Sequence, residues 1–466
     1  MIPDRFAPVL AELAPLVGRF ADAGEPLYLV GGTVRDLLLG EAAHDYDLTT
    51  PARPERIKAL LEGWAHAIWT QGERFGTIGA RFGDRTYEIT THRAERYDPE
   101  SRKPAVTFGD DIAEDLSRRD FTINAMALRL DAGAPELIDP YGGAVDLLAK
   151  RLRTPLDPHI SFNDDPLRML RAARFVAQLR LDPDPALMAA VREMAGRLEI
   201  VSAERVRDEL DKLLLVDHPA DGLWFYVDNG LADHFLPELP AMRLEQDPIH
   251  RHKDVLAHTI AVVENVRPDA KERFDFRRTR LAALFHDVGK PRTRGYRQGK
   301  GVTFHHHDVV GARMTRERMA ALRYSHDDVV AVTELVDLHL RFHTYKMGWT
   351  DAAVRRYVRD AGPYLAELNV LTRCDCTTRN ERKAAVLAKR MDELEERIVE
   401  LAVAEELAAL RPELDGVAVM AELGIGPGRA IGEALTFLMD IRLDEGVVGD
   451  AEVRRRLREW WDARQV

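Results

Sequence analysis

Two neighbouring segments decide the fold of this chain: LVGGTVRDLLLG, residues 29–40, and DYDLTT, residues 45–50. The apolar residues that open the first segment predict a short strand, and the apolar spacing from Val34 onward predicts a helix. Gly31 and Gly32 stand at the junction, where missing Cβ atoms let a phosphate approach the N–H groups at the helix start. The first segment therefore predicts a strand–turn–helix unit that can hold a triphosphate.

The second segment carries two acids in an alternating pattern. Asp45 and Asp47 interleave with Tyr46 and Leu48, which predicts a strand with both carboxylates on one face. Paired carboxylates can share divalent ions, and two such ions can activate an attacking hydroxyl and stabilise a leaving pyrophosphate. Two acids on an exposed edge strand would give the same pattern. The phosphate cradle upstream, to which Arg35 can contribute, favours phosphoryl-type transfer.

The remaining pattern predicts an α+β protein, in which a small mixed-sheet head is followed by an all-helical neck, a histidine-rich body and a helical tail. Strand-like residues 77–82 and 86–90 flank a Gly-Asp turn and predict a hairpin. Apolar residues recurring every three or four positions predict helices over 167–181, 185–198 and 203–215. We predict four domains with these bounds: head 1–150, neck 151–240, body 241–400 and tail 401–466.

The composition is that of a folded protein with several cores. The chain has 466 residues, 45% of them hydrophobic and 31% charged. It has no long apolar run, no secretory pattern at its start and only two cysteines, Cys374 and Cys376, so we expect a cytoplasmic protein with reduced thiols. The net charge of −12 excludes a uniformly basic surface. Basic residues cluster at 150–180, whereas the arginines of 454–464 fit an ordinary solvated face.

The two opening segments resemble the signature of the DNA polymerase β-like nucleotidyltransferases. More narrowly, they are similar to the class II group of CCA-adding enzymes and bacterial poly(A) polymerases. The resemblance covers about the first 215 residues and continues through RRDFTINAMA (118–127), DPYGGAVDL (139–147), DDPLRMLRAARF (164–175) and AERVRDEL (203–210). It implies a template-independent enzyme that joins nucleotides from CTP and ATP to the 3′ end of tRNA, using two Mg²⁺ ions.

The resemblance also implies a role for each matching residue. Asp45 and Asp47 match the catalytic, Mg²⁺-binding carboxylates. Glu88 is a candidate third carboxylate, although an ordinary exposed acid on a strand would explain it equally well. The matches imply nucleotide-binding roles for Gly31, Gly32, Arg35, Arg118, Arg119, Asp120, Asn124, Asp165, Arg168 and Arg171. Among these, the RRD motif at 118–120 matches the part that distinguishes ribose from deoxyribose, since an Arg–Asp pair can both donate to and accept from a 2′-OH.

Asp165 and Arg168 are three residues apart on a predicted helix, so we expect them to share one face. Cytosine and adenine both present an exocyclic amino donor beside a ring-nitrogen acceptor, whereas uracil and guanine present the reverse. A carboxylate beside a guanidinium therefore selects C and A together. In the family the matching pair serves as a protein template, and Arg171 belongs to the same set.

Two smaller features bear on which nucleotides are added. QGERFGTIG, residues 71–79, resembles the form found in CCA-adding members, whereas poly(A) polymerases tend to have extra basic residues there. The polar residues 93–104 resemble the flexible loop of complete CCA-adding enzymes, which partial enzymes tend to lack. Both features favour addition of C, C and A. Poly(A) addition and a partial reaction adding only C residues or only A stay as alternatives.

The body carries a second group of candidate ligands. Four of its residues resemble the metal ligands of the HD superfamily: His258, His286, Asp287 and Asp375. His307 and His339 are candidate further ligands. Imidazole and carboxylate groups suit a divalent ion, which the sequence does not identify, and such an ion could support phosphoester hydrolysis. The domain could instead only help to hold tRNA. A competing function is therefore an HD phosphohydrolase with an RNA-binding front half.

Overall fold

The structure is a computed structural model, and it describes residues 3–42, 45–96, 105–130, 135–244, 254–298, 301–344, 349–378, 380–405 and 410–464. Two compact units divide the chain, Met1–Pro237 and Glu238–Val466. Within the described ranges, every helix is too short or too polar to cross a lipid bilayer. The predicted division into four domains is finer than these two units and stays a prediction.

A mixed sheet forms the centre of the head. The strands of the head are β1 (Tyr28–Val30), β2 (Tyr46–Thr50), β3 (Ala67–Trp69), β4 (Thr77–Phe82), β5 (Arg85–Thr91), β6 (Arg93–Arg96), β7 (Ala105–Phe108), β8 (Ala127–Arg129) and β9 (Glu136–Ile138). Seven of them form one sheet in the order β3-β4-β5-β2-β1-β8-β9. Strands β2 and β5 are parallel, and the other neighbours are antiparallel. The predicted mixed sheet is confirmed.

Helices cover this sheet and bury its apolar side chains. The helices of the head are α1 (Ala7–Asp22), α2 (Gly32–Leu39), α3 (Pro54–Leu61), α4 (Ile112–Ser117) and α5 (Gly143–Leu148). Leu13 and Leu16 of α1 and Leu61 of α3 are fully buried in one core with Leu29 of β1 and Ile89 of β5. The predicted strand–turn–helix unit is β1 followed by α2, and the predicted hairpin is β4 with β5.

The neck is helical, as its periodicity predicted. After the short strand β10 (Arg151–Leu152), which pairs in parallel with β11 (Asp182–Pro183), the neck helices are α6 (Pro158–Asp164), α7 (Leu167–Leu179), α8 (Pro185–Met194), α9 (Ala203–Leu214) and α10 (Ala220–Asp228). Helix α7 ends before Arg180, which adopts the left-handed conformation with φ 53°. The hydroxyl of Ser202 accepts a hydrogen bond from the Arg205 N–H at 3.5 Å and so caps α9.

The structure differs from the sequence prediction at Asp165. This residue does not lie on the same helix as Arg168: it ends α6 in an extended conformation, with φ −143° and ψ 100°, and α7 begins beyond Pro166. The physical reason is the proline, whose ring disfavours helical geometry at the residue before it. The predicted helix face shared by Asp165 and Arg168 is therefore wrong. Asp165 instead precedes α7 and accepts a hydrogen bond from the N–H of Leu167, the first residue of that helix, at 3.2 Å.

The second unit is almost entirely helical where it is described. Its elements are α11 (Glu238–Ala241), α12 (Val255–Asn265), α13 (Phe276–Phe285), α14 (Lys290–Thr293), β12 (Arg294–Arg297), β13 (Gly301–Phe304), α15 (His307–Ala321), α16 (His326–Leu338), α17 (Arg341–Thr344), α18 (Asp351–Ala361), α19 (Leu365–Cys374), α20 (Glu381–Glu405), α21 (Gly416–Leu423), α22 (Arg429–Glu445) and α23 (Asp450–Asp462). Strands β12 and β13 form a hairpin. The last three helices share a small core that includes Val419, Leu438 and Leu457.

Candidate active site

Three carboxylates lie on two neighbouring strands of the head. Asp47 of β2 pairs in register with Glu88 of β5. Asp45 lies immediately before β2 and is exposed, as Asp47 is, whereas the intervening Tyr46 is only 1% exposed. Asp45 and Asp47 thus have the common facing that their alternation predicts, and the parallel pairing of β2 with β5 adds Glu88 beside them.

These carboxylates repel one another. Desolvation raises the pKa of Glu88 above its usual value, and the charges of Asp47 and Asp45 raise it further. The pKa of Asp47 is also raised, mainly by desolvation. The charge of Arg119 opposes this increase, and the charge of Asp45 adds to it. A cluster of acids that disfavour one another's ionisation favours bound cations, and oxygen ligands of this kind suit Mg²⁺. The three residues therefore fit a divalent metal site.

The glycine turn lies against this cluster. Gly31 has φ 71° and ψ −138°, and a Cβ atom there would lie 2.9 Å from Arg119 Nη1 and 3.8 Å from Asp47 Oδ2. Only glycine leaves the backbone open at this point without strain. Gly32 is the first residue of α2, so the N–H groups of the helix start are near the carboxylates. The hydroxyl of Thr33 joins the two segments by donating to the carbonyl of Asp45 at 3.3 Å.

Arg118 and Arg119 share one buried acid, Asp115 of α4. Arg118 Nη2 donates to Asp115 Oδ1 at 2.7 Å, and Arg119 Nη2 donates to Oδ2 at 3.3 Å. Burial alone raises the pKa of Asp115, but Arg119 and Arg118 outweigh it and lower the pKa to about 2. The N–H of Arg93, at the start of β6, also donates to Asp115. Asp115 thus holds the arginine pair beside the glycine turn.

Asp120 is not paired with its neighbouring arginines but with residues of the neck and of its own loop. Arg171 Nε donates to Asp120 Oδ2 at 2.9 Å, and the Asn124 amide donates to Oδ1 at 3.0 Å. Burial would raise the pKa of Asp120, yet Arg171 and Asn124 hold it well below its usual value. The Asn124 carbonyl oxygen accepts from Arg35 Nη1 at 2.7 Å. A continuous polar chain therefore joins α2, the loop after Asp120 and α7.

Arg35 is a positioning residue in this arrangement. Its side chain is 8% exposed, and its Nε also donates to Asp36 at 2.8 Å. Its guanidinium carbon lies 5.3 Å from the centre of the Phe175 ring. Arg35 therefore connects α2 to Asn124 and to Phe175 of α7, and its Nη2 would lie 3.5 Å from a Cβ atom at Gly32. Arg119 is the guanidinium nearest to Gly31.

The predicted base-reading residues lie where the head meets the neck. Asp165 Oδ2 accepts from Arg205 Nη2 of α9 at 2.7 Å. Arg168 donates to the Ser161 hydroxyl at 2.8 Å and also to the carbonyl of Arg118. A cavity of about 230 Å³ is lined by Glu114, Ser117, Arg118, Ser161, Asp164 and Arg168. The guanidinium beside the Asp165 carboxylate is thus that of Arg205, while Arg168 connects the neck to the RRD segment.

The second unit brings all six candidate HD ligands into one cluster. His258 lies on α12, His286 and Asp287 follow α13, and Asp375 follows α19. His307 begins α15, and His339 ends α16. His258 Nε2 lies 2.8 Å from Asp375 Oδ1, and His286 Nε2 lies 3.2 Å from Asp287 Oδ2. Helix ends thus converge on a site of imidazole and carboxylate groups, which fits a divalent transition metal.

The charges in this cluster also favour a cation. Burial would raise the pKa of Asp287, but His286, His307 and Lys290 hold it well below its usual value. Lys290 Nζ lies 2.6 Å from Asp287 Oδ2. Burial lowers the pKa of His286, but Asp287 and Asp375 more than offset this and raise it. Both carboxylates are therefore ionised and attract positive charge.

Several residues of the two sites were not predicted from the sequence. They are Asp115, Ser161 and Arg205 in the first unit and, in the second, Lys290 and Thr377, whose hydroxyl oxygen lies 2.7 Å from His258 Nδ1. Asp115 lies three and four residues before the arginine pair, and helical spacing could have suggested the contact. The contact between Arg205 and Asp165 spans forty residues of sequence and has no local signal.

The arginine run of the tail belongs to neither site, whereas Cys374 and Cys376 flank Asp375 and Cys376 lines the cavity beside it. Arg454 Nη1 lies 2.8 Å from Glu422, and other arginines of 454–464 pair in the same way with nearby carboxylates. This stretch is the ion-paired surface that the sequence favoured. Cys374 and Cys376 are free thiols, and burial raises the pKa of Cys374 to about 11, which keeps it protonated.

Comparison with family models places three matches along the chain. Residues 27–153 match the poly A polymerase head domain, and residues 180–242 match the probable RNA- and SrmB-binding site of polymerase A. Residues 255–403 match the HD domain. The matches follow the order of the two candidate sites, with the carboxylates in the first and the histidines in the third.

Comparison with known proteins finds one relative that aligns over nearly its full length and others that align over about half of this chain. The chain is 34% identical to the A-adding tRNA nucleotidyltransferase of Deinococcus radiodurans, over 93% of this chain and 95% of the relative. It is 38% identical to the CCA-adding enzyme of Lactobacillus helveticus over 49% of this chain, and it spans only 56% of that enzyme. Among solved structures, the Bacillus stearothermophilus CCA-adding enzyme in complex with CTP aligns with a TM-score of 0.73 at 23% identity, over 100% of this chain and 99% of that one. At that identity the likeness concerns the fold.

Proposed function

The chain belongs to the family of tRNA nucleotidyltransferases, and from that membership we propose that it adds C, C and A to the 3′ end of tRNA from CTP and ATP. As a family member it is a nucleotidyltransferase, and its domains imply dependence on divalent metal. The observation that carries the proposal is the carboxylate cluster of Asp45, Asp47 and Glu88 against the Gly31 turn and Arg119. The same activity would place the enzyme in the cytoplasm.

The reaction needs a nucleophile, a positioned triphosphate and a way to balance charge. The 3′-hydroxyl oxygen of tRNA attacks the α-phosphorus of the nucleotide, and pyrophosphate leaves. Asp45, Asp47 and Glu88 would hold Mg²⁺ ions, which supply Lewis acidity for the attacking and leaving oxygens. Arg119 and the N–H groups that begin α2 face the triphosphate, and Gly31 leaves room for it. The polar chain from Arg35 to Arg171 keeps this wall in place.

Base selection would fall to the junction of α6 and α7. Asp165 carries a carboxylate that can accept from the exocyclic amino group of C or A, and a guanidinium can donate to the adjacent ring nitrogen. Arg168 is the family match for that donor, and Arg205 is the guanidinium that now contacts Asp165 at 2.7 Å. With Arg205 holding the Asp165 carboxylate in place, rotation of Arg168 away from Ser161 would present the donor–acceptor pair to a base.

The region that bears on full CCA addition is a hairpin. Strands β6 and β7 pair in antiparallel fashion at the base of the predicted loop, residues 93–104, whose tip at 97–104 lies outside the described residues. Gly76 lies in the segment QGERFGTIG, residues 71–79. A Cβ atom at this residue would lie 2.7 Å from the Phe108 ring at the end of β7. The segment and the hairpin are thus in contact, which supports their acting together in the proposed reaction.

Addition of A alone is the second candidate. The observation that favours it is the relative from Deinococcus radiodurans, which matches over nearly the whole of both chains and is an A-adding enzyme. The CCA-adding relative from Lactobacillus helveticus matches over only about half of this chain.

The two candidates are separated by the tRNA that is offered. Labelled CTP and ATP, alone and together, are given with Mg²⁺ to a tRNA lacking CCA and to the same tRNA ending in CC. CCA addition predicts CTP incorporation on the first tRNA and ATP incorporation on the second. Incorporation of ATP on the second tRNA alone would identify an A-adding enzyme. Long A tails on unrelated RNA would identify a poly(A) polymerase, and no incorporation at all would refute all three.

A further inference from the structure

The hairpin of β12 and β13 in the second unit lies in a strongly basic part of the chain. Residues 289–307 contain five lysines and arginines and no acidic residue. The whole chain has 78 acids among 466 residues, so a segment of this length holds on average about three. This local excess of positive charge contrasts with the net charge of −12. We propose that β12 and the arginine before it form an RNA-binding arm, consisting of Arg292, Arg294, Tyr296 and Arg297, which holds a single strand of RNA.

The arginines of this arm differ from those of the tail. Arg292 and Arg297 are exposed, and neither forms an ion pair with any residue that the structure describes. The arginines of 454–464, by contrast, pair with nearby carboxylates. A guanidinium group without an acidic partner keeps its planar set of donors available for a phosphate group. RNA presents such phosphates along its whole backbone.

Strand β12 also presents an aromatic ring among these charges. All four residues of the strand are exposed, and Tyr296 is 64% exposed. Tyr296 lies opposite Val302 and Arg294 lies opposite Phe304, so these four residues share one face of the hairpin. A ring beside cations is the arrangement in which a base stacks while the neighbouring phosphates are neutralised. Because a base offers a free face only when it is unstacked, this arrangement fits a single strand.

The base of the arm is held at the histidine cluster. Lys290 Nζ lies 2.6 Å from Asp287 Oδ2, and the carbonyl of Phe304 accepts from His307 Nδ1 at 2.8 Å. A Cβ atom at Gly289 would lie 2.1 Å from the carbonyl oxygen of His307, so only glycine permits this approach of α14 to α15. Both ends of the hairpin are thus anchored, and RNA on the arm would lie beside the histidine cluster.

The chemistry of the chain favours RNA over other polyanions. The relative from Deinococcus radiodurans is a tRNA nucleotidyltransferase, and residues 180–242 match a probable RNA-binding site. The arm lies outside that match and is therefore a separate contact surface. The proposal does not depend on nucleotide addition by the head, because binding is measured without nucleotide. A failure of addition would leave the binding test unaffected.

Crosslinking locates the contact in the full chain. The probe is a single-stranded oligoribonucleotide that carries 4-thiouridine, and the crosslinked peptides are identified by mass spectrometry after irradiation. We expect a crosslinked peptide that contains Tyr296. The crosslink should be lost in Y296A and kept in Y296F, because phenylalanine retains a ring on which a base can stack. Crosslinks confined to other parts of the chain would overturn the proposal, and so would a crosslink at β12 that persists in Y296A.

Salt dependence counts the phosphate contacts at this site. The yield of the β12 crosslink, followed against RNA concentration at several salt concentrations, gives the affinity of the arm alone. Each phosphate contact to a single strand contributes about 0.7 to the slope of log K against log salt, so R292Q/R297Q should lower the slope by about 1.4. The control R382Q/K389Q removes two exposed positive charges from α20 of the same unit and should keep the slope. An unchanged slope in R292Q/R297Q, or an equal decrease in the control, would overturn the proposal.

A competitor separates RNA from an acidic polypeptide. Polyglutamate, added at the same concentration of charges as the RNA, has no bases to stack on Tyr296 and should leave most of the β12 crosslink in place. Complete displacement would identify an acidic polypeptide as the partner and would overturn the proposal. Circular dichroism checks that each variant is folded.

Discussion

At the residue scale, the acids of the head lie in two different environments: a cluster of mutually repelling carboxylates and a buried carboxylate that is paired with arginines. Asp45, Asp47 and Glu88 repel one another and are suited to cations. Asp115 is buried, paired with two arginines and strongly ionised. The three acids of the cluster destabilise one another's charge, whereas Asp115 is stabilised by Arg118 and Arg119. Substitutions in the cluster should therefore affect catalysis, and substitution of Asp115 should affect stability.

Asp47→Asn should abolish nucleotide addition while leaving tRNA binding nearly intact. The change removes a negative charge from the predicted metal site, and losing this charge stabilisation should lower kcat by about 100-fold or more. Addition is followed with labelled nucleotide, and tRNA affinity is measured by filter binding. Asp84→Asn, in the turn between β4 and β5, is the matched control and should keep full activity. Equal loss of addition and of tRNA binding would contradict the metal role.

Asp115→Asn should destabilise the head and flatten its acid response. The pKa of Asp115 is lowered to about 2, so its ion pairs contribute stability above its unfolded pKa, and this contribution is lost as the pH falls from about 4 towards 2. The shift corresponds to about 2 kcal/mol in the free energy of unfolding. Urea unfolding at pH 7 and pH 3 measures it. Exposed Glu114→Gln is the control, and an equal pH dependence in D115N and the unsubstituted chain would contradict the assignment.

At the element scale, proline and glycine decide where the helices of the site begin and end. Pro166 separates α6 from α7 and turns Asp165 out of the helix, towards α9. Gly31 ends β1 in a conformation that brings α2 against Asp47 and Arg119. Helix α9 thereby supplies a contact that its amphipathic pattern does not reveal, because its Arg205 holds the carboxylate of Asp165.

Arg205→Ala should weaken base selection more than nucleotide binding. Without its partner on α9, Asp165 is no longer held at the start of α7, and the preference for CTP and ATP over UTP and GTP should fall about tenfold. The measurement is the ratio of kcat/KM values for the four nucleotides. Asp165→Ala should give a larger loss. Arg207→Ala, whose guanidinium pairs with the adjacent Asp208, is the control on the same helix. Unchanged exclusion of UTP and GTP in both variants would refute the template interpretation.

At the scale of the whole molecule, the chain has two compact units, with the three acids of the head in the first and a converging group of histidine and aspartate ligands in the second. The carboxylates lie in Met1–Pro237, and the six HD ligands lie in Glu238–Val466. The two sets differ in chemistry: the first consists of oxygen donors, which suit Mg²⁺, and the second is rich in imidazole, which suits transition metals. Because the two ligand sets differ in chemistry, we expect nucleotide addition not to depend on the HD ligands.

His286→Ala should therefore leave nucleotide addition within about twofold of the unsubstituted enzyme. The variant removes one ligand of the HD cluster, in which His286 Nε2 lies 3.2 Å from Asp287. Multiple-turnover addition to tRNA is measured with Mg²⁺ as the only metal, beside Asp47→Asn as the inactive reference. A tenfold or greater loss of addition in a folded H286A protein would indicate that the two centres are coupled.

The sequence alone determined much of the local geometry around the carboxylates of the head. The period-two alternation around Asp45 and Asp47 set their common face, the glycine pair set the turn, and helical spacing located the neck helices within a few residues. Such features depend on neighbours in the chain, so patterns reveal them. Only the tertiary structure decided that Glu88 pairs with Asp47, that Arg205 contacts Asp165, and that Asp287 serves two ligand groups. These contacts depend on strand order and helix packing between distant segments, for which no local periodicity exists.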